Sequence, residues 1–94
     1  MQKLTPSQIE EQLKNLNGWS HENGSISKTF QFSDFKEAFS VMTRIAFEAE
    51  KANHHPEWAN VYNRLTINLN THDAGGITQY DFDLAKTIES IINP

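Results

Sequence analysis

The chain has 94 residues, of which 37% are hydrophobic and 21% charged, so it is too apolar for a disordered protein and short enough for one domain, residues 1–94. It has no cysteine, which excludes disulfides, thiolate metal ligands and a cysteine nucleophile. The formal net charge is −4 and the basic residues are scattered, so nucleic acid is not expected as a direct ligand. No apolar run approaches the roughly 20 residues of a membrane span, so a cytoplasmic protein is expected.

The first predicted element is a helix that begins after Thr5. Thr5 is a suitable cap, Pro6 suits the first helical position and Gln8 completes a capping box. Apolar residues then follow at helical spacing, and Asn17-Gly18 is predicted to end the helix.

Residues 19–32 are predicted to form a β-hairpin, because Asn23-Gly24 favours a two-residue turn. Ile26, Phe30 and Phe32 share one face of its second strand. Lys28 falls on the same face and interrupts the apolar alternation, which we interpret as a position near a sheet edge.

The longest helix is predicted over about residues 34–53, with Ser33 as its cap. It carries two neighbouring apolar stripes. One contains Phe35, Phe39, Met42, Ala46 and Ala49, and the other contains Ala38, Val41 and Ile45. The width favours either two contacts, with the sheet and with a partner subunit through the second stripe, or one broad core face.

His55-Pro56 is predicted to end this helix. Two short strands follow, over about residues 58–63 and 65–70, then a loop at residues 73–76. Thr78 and Asp81 mark the start of a last helix. The order α-β-β-α-β-β-α predicts an α+β fold of two layers, a four-stranded antiparallel sheet with three helices on one face.

Three of the four histidines, His54, His55 and His72, fall where a helix and a strand end, and such ends often meet at a site. Imidazole titrates near neutral pH and can act as acid or base. Glu50, one helical turn before His54, could orient that ring. Plainer interpretations stay open: a helix-end histidine often interacts with the dipole, Trp58 suits a core, and Asp81 suits a first helical turn.

A metal site is the first alternative, but adjacent His54 and His55 are poorly spaced to chelate one ion, and no His-x-x-x-His pair is present. No glycine-rich phosphate loop is present either. We therefore expect no metal and no other cofactor.

These residues carry a family resemblance. Glu50-x-x-x-His54-His55-Pro56, five residues, Tyr62, nine residues, His72, eight residues and Asp81 resemble the signature of the pterin-4a-carbinolamine dehydratases. The run from His54 to Asn63 and Thr71-His72-Asp73 are similar to that family as well. Asn53 and Ala74 depart from the acidic residue and the cysteine expected in animal members.

The resemblance implies a dehydratase that converts a 4a-hydroxytetrahydropterin to quinonoid dihydropterin in tetrahydrobiopterin recycling. It implies that His54 and His72 are the acid/base pair and that His55 positions the substrate. It also implies a second group of residues that bind the substrate or support the histidines, and in which Pro56 and Trp58 form walls of the pocket. This group consists of Glu50, Pro56, Trp58, Thr71 and Asp81.

The resemblance further implies homodimers or homotetramers that form through the long helix. Two other functions stay open. One is a binding module for a transcription factor, as in animal relatives, and the other is a different role in pterin or molybdopterin metabolism.

Overall fold

The computed structural model describes residues 1–94 and contains three helices and four strands in the predicted order. The α+β expectation is confirmed. The elements are α1 (Pro6–Leu13), β1 (Ser20–Glu22), β2 (Ser25–Gln31), α2 (Phe35–Ala52), β3 (Glu57–Val61), β4 (Arg64–Leu69) and α3 (Gln79–Ile92), with one 3₁₀ turn at His72–Ala74. None of the helices is both long enough and apolar enough to cross a bilayer.

The four strands form one antiparallel sheet in the order β1-β2-β4-β3. Ile26 lies opposite Leu69 and Phe30 opposite Leu65, so β2 and β4 present matching apolar residues to the helices. The other face is polar, and there Thr29 contacts Thr66 across the same strand pair. This alternation is typical of an antiparallel sheet with one covered face.

The core lies between the sheet and the helices. It consists of one cluster of 14 buried residues, among which Ile45, Leu65, Ile67, Phe82 and Ile88 are fully buried. Burial of apolar side chains of this kind is the main favourable contribution to folding. The core therefore fixes the relative positions of the α2 end, the β4 end and the α3 start.

The ends of α1 and α2 agree only in part with the predictions from the sequence. Thr5 and Gln8 form the predicted capping box at α1. The predicted end at Asn17-Gly18 is wrong, because α1 ends at Leu13 and turns follow it, although Leu16 remains buried. The cap of α2 is Asp34 rather than Ser33, since the Asp34 carboxylate accepts the backbone N–H of Glu37 at 2.8 Å.

Lys28 lies one residue beyond the segment of β2 that pairs with β1, which ends at Ser20 opposite Ser27, and this agrees with the expected position near a sheet edge. It is on β2, an interior strand, and its side chain is largely buried beside the C-terminal half of α3. Its ammonium donates to Glu89 Oε2 and to the carbonyl of Asn17, each at 2.7 Å, and lies 4.8 Å from the centroid of the Phe30 ring. The ion pair, the second hydrogen bond and the aromatic ring together make this cation tolerable on the covered face.

The apolar surface left exposed on α2 is not the stripe predicted from the sequence. Ala38 and Ile45 are fully buried inside this chain, and Val41 packs partly against the same core. Phe39 and Phe47 are instead 55% and 72% exposed. The second stripe of α2 therefore faces the core of its own chain, and the helix is rotated about its axis relative to the orientation expected from the sequence.

Candidate active site

The three histidines of the predicted cluster converge on one hollow of about 280 Å³. Two elements supply them: His54 and His55 follow the end of α2, and His72 opens the 3₁₀ turn after β4. The walls are entirely non-hydrophobic and consist of Asn53, His54, His55, Asn70, Thr71, His72 and Asp73.

A left-handed residue brings the two adjacent histidines to the hollow. Asn53 caps α2 with φ 51°, a conformation that asparagine tolerates better than most residues. The chain thus leaves the helix axis before His54, whose backbone N–H still bonds to the carbonyl of Ala49 at 3.0 Å.

His54 is held by a buried carboxylate. Its Nε2 lies 2.5 Å from Oδ1 of Asp81, a fully buried residue, and its own side chain is only 12% exposed. Asp81 Oδ2 accepts from the Thr71 hydroxyl and from the backbone N–H of Thr78, each at 2.9 Å. Asp81 therefore does more than cap α3, since it also holds His54 and Thr71 at the hollow.

His55 has an exposed partner, Glu50. Its Nε2 lies 2.5 Å from Glu50 Oε2, and both side chains are more than half exposed. The suggestion that Glu50 orients His54 is wrong, because the helix ends at Ala52 and the turn at Asn53 breaks the expected one-turn spacing. Glu50 thus steadies the second histidine of the pair rather than the first.

His72 has a partner that the sequence did not suggest. Its Nε2 lies 3.2 Å from Oε1 of Glu57, the first residue of β3, and the same oxygen accepts from Asn70 Nδ2 at 3.2 Å. The only sequence signal for Glu57 is its place directly after His-His-Pro, on the polar side of an edge strand. Both side chains of this hydrogen-bonded pair are well exposed, so the contact orients His72 only weakly.

Two predicted wall residues, Pro56 and Trp58, are not among the residues that line the histidine hollow. Trp58 lies opposite Ile67 on the helix-covered face of the sheet. It lines a separate apolar groove, which we call the α2 groove, with Phe39, Met42, Thr43, Ala46 and Phe47. Its assignment as a wall around the substrate therefore stays a prediction without a contact to support it.

A second hollow lies on the other side of His54, between α2 and α3. At about 340 Å³ it is somewhat larger, and its walls include Lys51, Tyr80 and Asp83. The Tyr80 ring is 5.7 Å from the His54 ring. It contains one histidine where the first hollow contains three, and the remaining histidine, His21, lines neither of them. Acid–base chemistry therefore points to the first hollow.

The site has one arrangement repeated three times: an imidazole bonded through Nε2 to a carboxylate. Because an ionised carboxylate only accepts hydrogen bonds, Nε2 is the donor in each pair where the carboxylate is ionised. No group of three or more His, Cys, Asp or Glu side chains is arranged to hold a metal ion. The residues are suited to proton transfer.

Comparisons with known proteins place the chain in one family. A family model described as pterin 4 alpha carbinolamine dehydratase matches residues 2–91. A Christiangramia forsetii protein named for that dehydratase is 55% identical over 98% of this chain and 95% of its own length. A similarly named Rhizobium johnstonii protein is 55% identical over 95% of this chain and 90% of its own.

A solved structure is similar over nearly the whole chain. The crystal structure of a transcriptional coactivator/pterin dehydratase from Brucella melitensis is 41% identical, with a TM-score of 0.92, over 95% of this chain and 97% of that one. The chain is thus a small α+β enzyme of the hydro-lyase class. This chain is a member of the pterin 4 alpha carbinolamine dehydratase family, which confirms the resemblance stated from its residues.

Proposed function

We propose that the protein dehydrates a 4a-hydroxytetrahydropterin to quinonoid dihydropterin and water by histidine acid–base catalysis. The observation that carries the proposal is the meeting of three carboxylate-bonded imidazoles at one polar hollow, in a chain of this family. Tetrahydrobiopterin recycling in the cytoplasm is the corresponding pathway and location, and both stay predictions.

The reaction needs two proton transfers. The C4a–O bond breaks and the leaving hydroxide takes a proton from one imidazolium, while a second imidazole removes the N5 proton and a C4a–N5 double bond forms. We assign these transfers to His54 and His72, as the family resemblance implies; the two residues come from different elements and both line the hollow. A well-placed general acid or base contributes about 10²–10⁴-fold each.

The other polar residues support the two catalytic imidazoles. His55, bonded to Glu50, is assigned to binding and positioning the substrate. Asp81 and Thr71 hold His54, and Glu57 joins them as the partner of His72. Preorganised hydrogen bonds of this kind avoid reorganisation when charge moves during the reaction.

The test is a direct assay with chelator present throughout. A hydroxylase generates 4a-hydroxytetrahydropterin in situ, and absorbance follows the formation of quinonoid dihydropterin. We expect acceleration that survives the chelator and is unchanged in the control His21→Gln, which alters a histidine outside the hollow. Absence of acceleration from protein shown by circular dichroism to be folded would refute the proposed activity.

We also propose that the protein self-associates through α2, using the α2 groove. Phe39, Phe47 and Trp58 line a largely apolar surface there, and the first two are more than half exposed. Contiguous exposed apolar area is typical of an interaction surface. Trp58 would then serve the interface between copies rather than the substrate pocket.

Introducing charge into the α2 groove tests this association. Phe39→Asp with Phe47→Asp is expected to convert a dimer or tetramer to monomer, because buried unpaired carboxylates oppose association strongly. Multi-angle light scattering measures the mass, and Ser40→Asp, an exposed change on α2 outside the groove, is the control. A wild-type monomer would contradict self-association and leave the groove for a different partner.

A further inference from the structure

We propose that Thr78 is a positioning residue, which acts with Thr71 to fix the tautomer of His54 through a one-way chain of hydrogen bonds. The effect on activity rests on the proposed function, whereas the effect on the tautomer does not. Thr78 is fully buried, and its hydroxyl lies 2.8 Å from the Thr71 hydroxyl, which in turn donates to Asp81 Oδ2 at 2.9 Å.

Counting hydrogens gives the direction of the chain. Each threonine hydroxyl has one hydrogen to donate. The hydrogen of Thr71 goes to the Asp81 carboxylate, so in the contact between the two threonines Thr78 must be the donor. Thr78 Oγ1 itself accepts from the backbone N–H of Tyr80 at 3.2 Å, which leaves its hydrogen free for Thr71.

The chain ends at His54. Asp81 also accepts the backbone N–H of Thr78, so its Oδ2 receives two hydrogen bonds and its Oδ1 faces only the imidazole. Every donor along the chain of hydrogen bonds therefore points toward the carboxylate, whose Oδ1 is left to accept from an Nε2–H imidazole. Nδ1 of His54 is then the ring nitrogen without a proton.

The role of Thr78 as the cap of α3 can be separated by mutation from its role in the chain of hydrogen bonds. Thr78 caps α3, whereas Thr5 caps α1 through a hydroxyl that accepts the Gln8 N–H at 3.2 Å and has no hydrogen bond to Thr71, Thr78 or Asp81. Thr5→Val therefore removes a cap hydroxyl without touching the chain. Thr78→Ser keeps both the cap and the hydroxyl donor, and Thr71→Ser keeps the link to Asp81.

The experiment combines ring nitrogen NMR of His54 with steady-state kinetics of Thr71→Val, Thr78→Val and the double variant. We expect the wild type to show the Nε2–H tautomer and Thr71→Val a tautomer mixture with kcat lowered about tenfold and KM little changed. Thr78→Val should show a smaller change in the same direction. Because the two hydroxyls act as one chain, the double variant should lose no more than Thr71→Val alone.

The serine variants should restore both the tautomer and kcat, and Thr5→Val should change neither. A His54 tautomer that is unaltered in Thr71→Val and Thr78→Val, or losses that add in the double variant, would overturn the proposal. If the wild type lacks dehydratase activity altogether, the proposed function fails and the NMR measurement alone decides the role of Thr78.

Discussion

His54→Gln is expected to lower kcat by about 10²–10⁴-fold while the protein stays folded. The glutamine amide can still donate a hydrogen bond toward Asp81, the fully buried carboxylate that His54 contacts at 2.5 Å, but it cannot exchange a proton at neutral pH. The measurement is the rate of quinonoid dihydropterin formation, with circular dichroism and thermal unfolding on the same samples.

Two further variants separate catalysis from stability. His54→Ala removes the imidazole and also leaves Asp81 without that donor, so it should lose activity and lower the melting temperature as well, since a buried charge without its partner is costly. His21→Gln, a histidine outside the hollow, should change neither. Full activity in His54→Gln would remove His54 from the catalytic pair.

The elements set by local chemistry were the ones that the sequence predicted well. Both capping boxes, at Thr5 and Thr78, lie where the pattern placed them, and Asn23-Gly24 forms the expected hairpin turn between β1 and β2. Such motifs satisfy their backbone groups within a few residues, so they can be read without knowledge of the fold.

The sequence was a poorer guide where contacts with residues far along the chain determine which side chains are buried and what they bind. Lys28 lies just beyond the β1–β2 pairing, as expected, but local spacing does not reveal that Glu89, 61 positions later, neutralises its charge on the covered face of the sheet. The two apolar stripes are adjacent on the surface of α2. The rotation of the helix about its own axis decides that Ala38 and Ile45 are buried while Phe39 is exposed. Helical spacing reveals which residues share a face, but it does not reveal which face meets the sheet.

The site shows the same division. The convergence of His54, His55 and His72 could be predicted from helix and strand ends, and the structure brings them to one hollow. Their partners could not be assigned correctly, because the left-handed turn at Asn53 redirects Glu50 to His55. The contact between Glu57 and His72 forms because the start of β3 lies beside the 3₁₀ turn, and the spacing of residues along the sequence does not reveal that.

Glu89→Gln is expected to destabilise the protein by about 1–3 kcal/mol at pH 7, and less at pH 3. Burial opposes ionisation of Glu89, but hydrogen bonds from Lys28, Trp19 and Asn93 and the charge of Lys28 outweigh it and hold the pKa of Glu89 below its ordinary value of 4.5. Urea unfolding of both proteins across this pH range measures the difference.

The sign follows from proton linkage. Above pH 4.5 the carboxylate is ionised in both the folded and the unfolded chain, and the stabilisation by Lys28 and Trp19 is fully present. As the pH falls, the unfolded chain takes up the proton first because the pKa of its Glu89 is higher, so stability is lost until the folded carboxyl is protonated as well. Glu10→Gln, at an exposed position on α1, should show no comparable loss at pH 7. A stability difference between Glu89→Gln and the wild type that stays constant from pH 7 to pH 3 would show that the Lys28–Glu89 contact stabilises the fold through packing rather than charge.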